Sequence, residues 1–274
     1  MERANSNRSR DEGLAQSASV YDRADHDLWR FAVYDGIHSG WEFANICGAA
    51  ALNAIASLVP GRDKRILDVG CGSGDPCIYL SAELGCNSCG VDINPNQIAR
   101  ALGKRDALGS DVARMVSFWC GALGDFPQSD FHAACCLDTL TLVDDTASLL
   151  SATRARLGLG SPFLVADLFA GRNYDRETEK FVWSQDGMIS LVRPQRFADT
   201  LDASRFACEE WADNTKRAEN AFVQILSRLD EYVRRAPAQR DDALVDEWFR
   251  ATRFYIDAFH EHRLEYRWCV SRAR

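Results

Sequence analysis

Residues 66–76 read ILDVGCGSGDP: an apolar run carrying one acid, Asp68, followed by glycines at alternate positions, Gly70, Gly72 and Gly74. Stripping side chains from every second residue brings bare backbone against a ligand, and an aspartate beside such a turn welcomes a cation. Further on, the short run GVDIN places Asp92 where a second strand should end. A carboxylate at that point can accept hydrogen bonds from two ribose hydroxyls.

Glycine-rich turns after a first strand serve several ligands, and the flanking residues separate them. A phosphate-binding loop needs Gly-Lys-Ser/Thr at its end, where this chain has Asp75. A dinucleotide fingerprint needs a third glycine three positions after the second, and that place again falls on Asp75. A ligand with a ribose, an amino group and no phosphate fits better, and S-adenosylmethionine is such a ligand.

ILDVGCGSGDP followed by GVDINPNQIARA resembles motifs I and II of class I S-adenosylmethionine-dependent methyltransferases. Upstream, VYDRADHDLWRFAVYDGIHSGWEF is similar to the opening segment of the small-molecule branch, which includes tocopherol-, sarcosine- and antibiotic-tailoring enzymes. Downstream, a helical insertion before LEYRWCVSRA is similar to the acceptor cap of that branch, so the likeness covers about residues 20–274. The resemblance implies S-adenosyl-L-methionine as cofactor and a set of contacts to it. Tyr21, His38 and Gly40 would close over its methionine end. Asp68, Gly70, Cys71, Gly72 and Gly74 would form the turn beneath it, with Asp92, Ile93 and Gln97 from the second motif. Gly121, Ala122, Leu123 and Leu137 would follow the third and fourth strands. His38 and Asp138 are the catalytic candidates, although Asp138 is also placed to cap the next helix.

Two departures bear on mechanism. CGALGDFP carries Gly121-Ala122 where relatives carry Gly-Asp, so the contact to the adenine amino group is lost or moves to Asp125. CLDTLTLVDD carries Leu142 where many relatives carry a histidine base. A neutral amine needs no base whereas a hydroxyl usually does, so nitrogen is favoured over oxygen as the acceptor, with an activated carbon left open. Specialised metabolism is the expected setting. A nicotinamide-dependent oxidoreductase would also keep Asp92, and a non-catalytic S-adenosylmethionine-binding partner protein would tolerate both departures; both stay open.

These residues must be positioned by an alternation of short apolar runs and amphipathic ones between residues 60 and 170, which predicts βαβ units. The fold class is α/β: a doubly wound, Rossmann-like, mostly parallel sheet, with a helical cap inserted before the final strand. Asp75-Pro76 and Asn94-Pro95 each place a capping residue before a proline and predict helix starts at the strand ends. Residues 171–200 resist assignment. Two amphipathic stretches follow, ENAFVQILSRLDEYVRR and LVDEWFRATRFYIDAF, and then an alternating strand with Tyr266, Trp268 and Val270 on one face. The expected organisation is a disordered arm (1–19), a cofactor-binding core with lid helices (20–170), an acceptor region with its cap (171–262) and a last core strand (263–274). Trp183, Trp211 and Trp248 are individually read as core, although the cap that carries Trp248 and Phe249 is expected to wall the acceptor.

The chain has 274 residues, 46% hydrophobic, with 32 basic against 40 acidic residues and a net charge of -8. That balance, with no basic stripe, argues against nucleic acid or an anionic membrane as partner and for a small-molecule acceptor. The longest apolar stretch, FANICGAAALNAIASLV, is interrupted by Asn45, Asn53 and Ser57 and predicts a buried helix rather than a membrane span. The polar N-terminus lacks the apolar centre of a signal peptide, so the ten cysteines are expected as reduced thiols in the cytoplasm. Cys86-x-x-Cys89 has no second pair or nearby histidine to complete a metal site, and no metal is expected. A monomer or homodimer is expected.

Overall fold

The computed structural model describes residues 27–43, 45–46, 48–61, 63–189, 191–235 and 241–274. Tyr21 and the 1–19 arm lie outside the described residues. Seven strands form one sheet in the order β3-β2-β1-β4-β5-β7-β6. β1 (Arg65–Val69), β2 (Asn87–Asp92), β3 (Val116–Cys120), β4 (Ala133–Leu137) and β5 (Pro162–Ala170) are parallel to one another. β7 (Leu264–Ala273) runs antiparallel between β5 and β6 (Phe206–Asp213). The strand order reverses between β1 and β4, which is where a doubly wound sheet opens a crevice at its carboxyl edge.

Helices α1 to α10 surround the sheet. α1 is an irregular helix in which Asp27–Trp29, a wider turn at Arg30–Tyr34 and Asp35–Ile37 run on from one another. α2 (Ala49–Ser57) buries Ala51, Leu52 and Ile55, as its apolar sequence requires. α3 (Asp75–Ala82) and α4 (Pro95–Asp106) follow β1 and β2, α5 (Ser110–Ala113) precedes β3, and α6 (Thr146–Arg154) follows β4. Asn94 caps α4 as predicted, its side chain accepting from Asn96 N and Gln97 N at 3.0 and 3.4 Å. Asp75 does not cap: Gly74 is the residue at the N-terminus of α3, and Asp75 sits inside the first turn. Its carboxylate instead takes Lys104 Nζ and the backbone N–H of Glu42.

The unassigned region holds α7 (Arg176–Asp186) and α8 (Pro194–Ala203), followed by β6. The two amphipathic stretches are α9 (Thr215–Arg235) and α10 (Asp242–His260), which pack on one another and bury Ile225, Leu229, Tyr255 and Phe259. They lie between β6 and β7, so the cap precedes the final strand. Along β7, Tyr266, Trp268 and Val270 pack against one core cluster and Cys269 and Ala273 against the other, the alternation its sequence predicts. Among the described residues no helix is long and apolar enough to cross a membrane, and no group of three or more His, Cys, Asp or Glu could hold a metal ion.

Candidate active site

The glycine turn connects β1 to α3, and its backbone takes left-handed torsions at Gly70 (φ 76°), Gly72 (φ 51°) and Gly74 (φ 84°). Two of these positions are also closed to any side chain. A Cβ at Gly70 would stand 2.3 Å from Thr139 Cγ2, and one at Gly74 would stand 2.5 Å from Phe118 and 2.8 Å from the Ala101 methyl. Gly74 therefore serves helix packing, while Gly70 and Gly72 leave backbone facing a cavity.

That cavity runs from the turn across the ends of β1, β4 and β5 to the cap. His38, Asp68, Gly70, Cys71, Gly72, Gln97, Leu137 and Asp138 all line it. The opposite wall comes from Trp29, Tyr34 and Ile37 of α1 and from Phe222, Trp248 and Tyr255 of the cap. Trp248, read from sequence as core, is thus a wall residue, whereas Trp211 packs between Phe169 and Phe197 within the core. Phe249 does not line this cavity but opens on a second, shallow groove with Arg250 and Arg253.

Asp92 stands at the end of β2 behind the turn. Its Oδ2 accepts from Gly72 N at 2.9 Å and its Oδ1 from Asn94 N at 2.8 Å, leaving each oxygen further lone-pair capacity. Burial raises its pKa and these N–H groups oppose the shift. Ile93 beside it is 46% exposed, free to cover a flat ligand. Gly121 N donates to the Asp92 carbonyl, and Leu123 is buried in the core beyond Ala122. Gly40, in a left-handed turn, donates its N–H to the Tyr34 carbonyl. Gly40, Gly74, Asp92, Ile93, Gly121, Ala122, Leu123 and Asp125 are not among the cavity-lining residues.

Asp68 is 1% exposed, and its hydrogen-bond donors are two thiols, Cys135 at 3.5 Å and Cys77 at 3.7 Å. Burial pushes its pKa up to about 7, because weak thiol donors do little to hold the charge. His38 is nearly as deep, set edge-on against Phe43, and burial pushes it down to about 4, so the ring is neutral near pH 7.

Asp138 does not cap a helix; Asp145 caps α6. It sits just past β4 with a left-handed φ of 49°, an uncommon torsion for a residue with a side chain. Its Oδ2 accepts from Ile46 N at 2.8 Å and from the Tyr266 hydroxyl at 3.2 Å, while its Oδ1 is buried with no partner among the described residues. Its pKa is raised, first by burial and then by the charge of Asp167. Asp167 and Asp186 also line the cavity and went unrecognised in the sequence, as did Asn45. The signal for Asp167 was there: a lone acid in PFLVADLFA, where all nine residues of β5 are buried.

Left-handed glycines facing a cavity that the cap also lines, with an acid at the second strand end, define a Rossmann-like ligand-binding fold. Residues 44–210, well over half the chain, match the methyltransferase domain family, and the chain belongs to that family. Norajmaline N-methyltransferase of Rauvolfia serpentina is 24% identical over 217 residues, 68% of this chain and 73% of that one. The 27-O-demethylrifamycin SV methyltransferase of Amycolatopsis mediterranei is 26% identical over 196 residues, 64% of this chain and 70% of its own length. Among solved structures, phosphoethanolamine N-methyltransferase 2 of Haemonchus contortus, in complex with phosphomonomethylethanolamine and S-adenosylhomocysteine, superimposes with a TM-score of 0.77 at 20% identity. That superposition covers 92% of this chain but 60% of the other, so the chain spans less than two thirds of its neighbour.

Proposed function

We propose that this methyltransferase uses S-adenosyl-L-methionine to methylate a small-molecule acceptor, on nitrogen in preference to oxygen, in specialised metabolism. The observation that carries this is the cavity shared by the glycine turn and the cap, which brings Asp68, Gly70, Gly72, Gln97 and Leu137 of the expected cofactor residues and an aromatic acceptor wall into one enclosure.

The residues present fit the cofactor. Gly70 and Gly72 give the close backbone approach, Asp92 offers acceptor oxygens to two hydroxyls, and Asp68 supplies negative charge beside an ammonium. When bound, S-adenosylmethionine supplies a methyl carbon on a sulfonium, and the electron pair of the broken carbon–sulfur bond stays on sulfur in S-adenosylhomocysteine. The protein's part is to hold the acceptor in line and to exclude water, which the cap and α1 do with Trp29, Phe222 and Trp248. Asp138, with one oxygen unpartnered, receives a proton from the acceptor. Buried His38, neutral near pH 7, would pack against the methionine end of the cofactor. Leu142 lines the cavity where relatives place a histidine base, and the nitrogen preference rests on the buried carboxylates there, which attract a protonated amine.

Calorimetric titration with S-adenosylhomocysteine, NAD and NADP tests this directly. S-adenosylhomocysteine alone should bind, and mass spectrometry should find products 14 daltons heavier than their amine acceptors. Binding of a nicotinamide dinucleotide in its place would overturn the assignment, and cofactor binding without a methylated product from amine or phenol libraries would favour a non-catalytic partner protein.

A further inference from the structure

The cavity beyond the glycine turn carries one sign of charge. Asp138 just past β4, Asp167 within β5 and Asp186 at the end of α7 line it. Asp167 is 1% exposed, with its two oxygens accepting the N–H groups of Leu140 and Leu168, each at 2.7 Å. The Tyr255 hydroxyl donates to Asp186. Among the described residues the only lysine or arginine lining the cavity is Arg100, which stands on α4 near Gln97 at the cofactor end. Arg30 and Lys104, nearby, are paired with Glu42, and Lys104 with Asp75 as well.

A second observation points to a ligand in the same place. Asn45 is 3% exposed and lines the cavity, and neither its amide oxygen nor its amide nitrogen has a partner among the described residues. Its neighbour Ile46 donates to Asp138, so the unpartnered amide and the unpartnered Asp138 Oδ1 belong to one corner. Unmatched buried polar atoms cost about 1–3 kcal/mol each, and a ligand that carries N–H donors would satisfy both oxygens. The cap and α1 make the rest of this wall aromatic. Trp29 and Trp248 have ring centroids 4.4 Å apart, and Phe222 stacks on Tyr255 at 4.8 Å.

We propose that the acceptor is a lipophilic amine: a protonated nitrogen delivered to Asp138 and Asn45, on an unionised, flat, apolar body held by the aromatic wall, with phospho- and carboxy-substituted amines excluded. This rests on the methyl-transfer function above and names the substrate class for it. A cation is attracted by the buried carboxylates and by the ring faces, whereas a phosphate or carboxylate would be desolvated next to like charges, with Arg100, the one described lysine or arginine lining the cavity, standing at the cofactor end. The ammonium leaves one proton on Asp138 Oδ1, which frees the nitrogen lone pair for the methyl carbon; Asp138 then returns that proton to solvent.

The test uses the intact protein and begins with S-adenosylhomocysteine, whose failure to bind would sink the methyl-transfer function and this proposal together. With that ligand saturating, tryptamine, 2-phenylethylamine, phosphoethanolamine and sarcosine are titrated by calorimetry, and each is offered with S-adenosylmethionine for product mass. The two arylalkylamines should bind at least tenfold more tightly than the other two and alone give products. Asp138→Asn, and separately Asp186→Asn, should weaken arylalkylamine binding tenfold or more while S-adenosylhomocysteine affinity stays within threefold. With S-adenosylhomocysteine bound, equal or tighter binding of phosphoethanolamine or sarcosine would overturn the proposal alone. So would the absence of any arylalkylamine binding at millimolar concentration, or arylalkylamine affinities unmoved in both variants.

Discussion

The Asp92 carboxylate accepts the backbone N–H of Gly72 at 2.9 Å, so the acid at the end of β2 also holds the glycine turn that follows β1. In the proposed function the same residue that braces the turn would also present oxygens to a ribose. Asp92→Ala should lower S-adenosylhomocysteine affinity tenfold or more, since charge-assisted hydrogen bonds of about 1.5–3 kcal/mol each are lost. Asp92→Asn keeps one acceptor oxygen and should retain more thermal stability than the alanine variant. Calorimetry on variants whose circular dichroism matches the parent measures the first effect, and thermal melts the second.

Gly70→Ala tests the turn from the other side. Its Cβ would overlap Thr139 in a backbone with φ 76°, so both crowding and torsional strain oppose the change. The expected cost is about 1–3 kcal/mol of stability, with loss of cofactor binding. Adding Thr139→Ala removes the crowding and leaves the torsion, so the double variant should recover part of the stability. A double variant no more stable than Gly70→Ala in denaturant melts would show that Thr139 is not what excludes the side chain.

Much of the sheet was legible because its strands announce themselves by composition and its helices by Pro95 and Asn94. Asp75 misled because a helix can start on a left-handed glycine and leave the following acid free for a distant lysine, a choice set by the packing of Gly74 against Phe118 and Ala101. β6 was illegible for a different reason. Only Phe206 is buried along it, and its exposed acids Glu209 and Glu210 belong to an edge strand facing water. Within the site, the motif residues were readable one by one, whereas Asn45 and Asp186 gain meaning only from the corner that the loop before α2, the end of β4 and α7 build together.

The buried carboxylates make ligand-free stability depend on pH. Asp68, held near 7 in the fold, keeps its proton over a range where the unfolded chain has already lost it, so its contribution falls as pH rises from about 4 to 7. Asp167, pushed up to about 6, acts in the same direction. His38 acts oppositely between about 4 and 6.5, because there the unfolded ring binds the proton that the folded one refuses. Asp68→Asn removes the first of these, so its melting temperature relative to the parent should climb between pH 5 and pH 8. A constant difference across that range would show that Asp68 does not titrate within it.

The cap separates two neighbours that sequence could not distinguish. Trp248 lines the main cavity and stands against Trp29, while Phe249 opens on the outer groove with its ring near Arg253. Trp248→Ala should therefore change acceptor preference or turnover among arylalkylamines while S-adenosylhomocysteine affinity stays within about threefold, less than the 1.4 kcal/mol of a tenfold change. Phe249→Ala should leave acceptor preference unchanged and lower thermal stability through lost packing between α9 and α10. Steady-state rates over a short amine series, with cofactor titrations and melts on the same preparations, distinguish the two. An acceptor profile altered by Phe249→Ala and untouched by Trp248→Ala would place the acceptor in the outer groove, on the far side of the cap from the glycine turn.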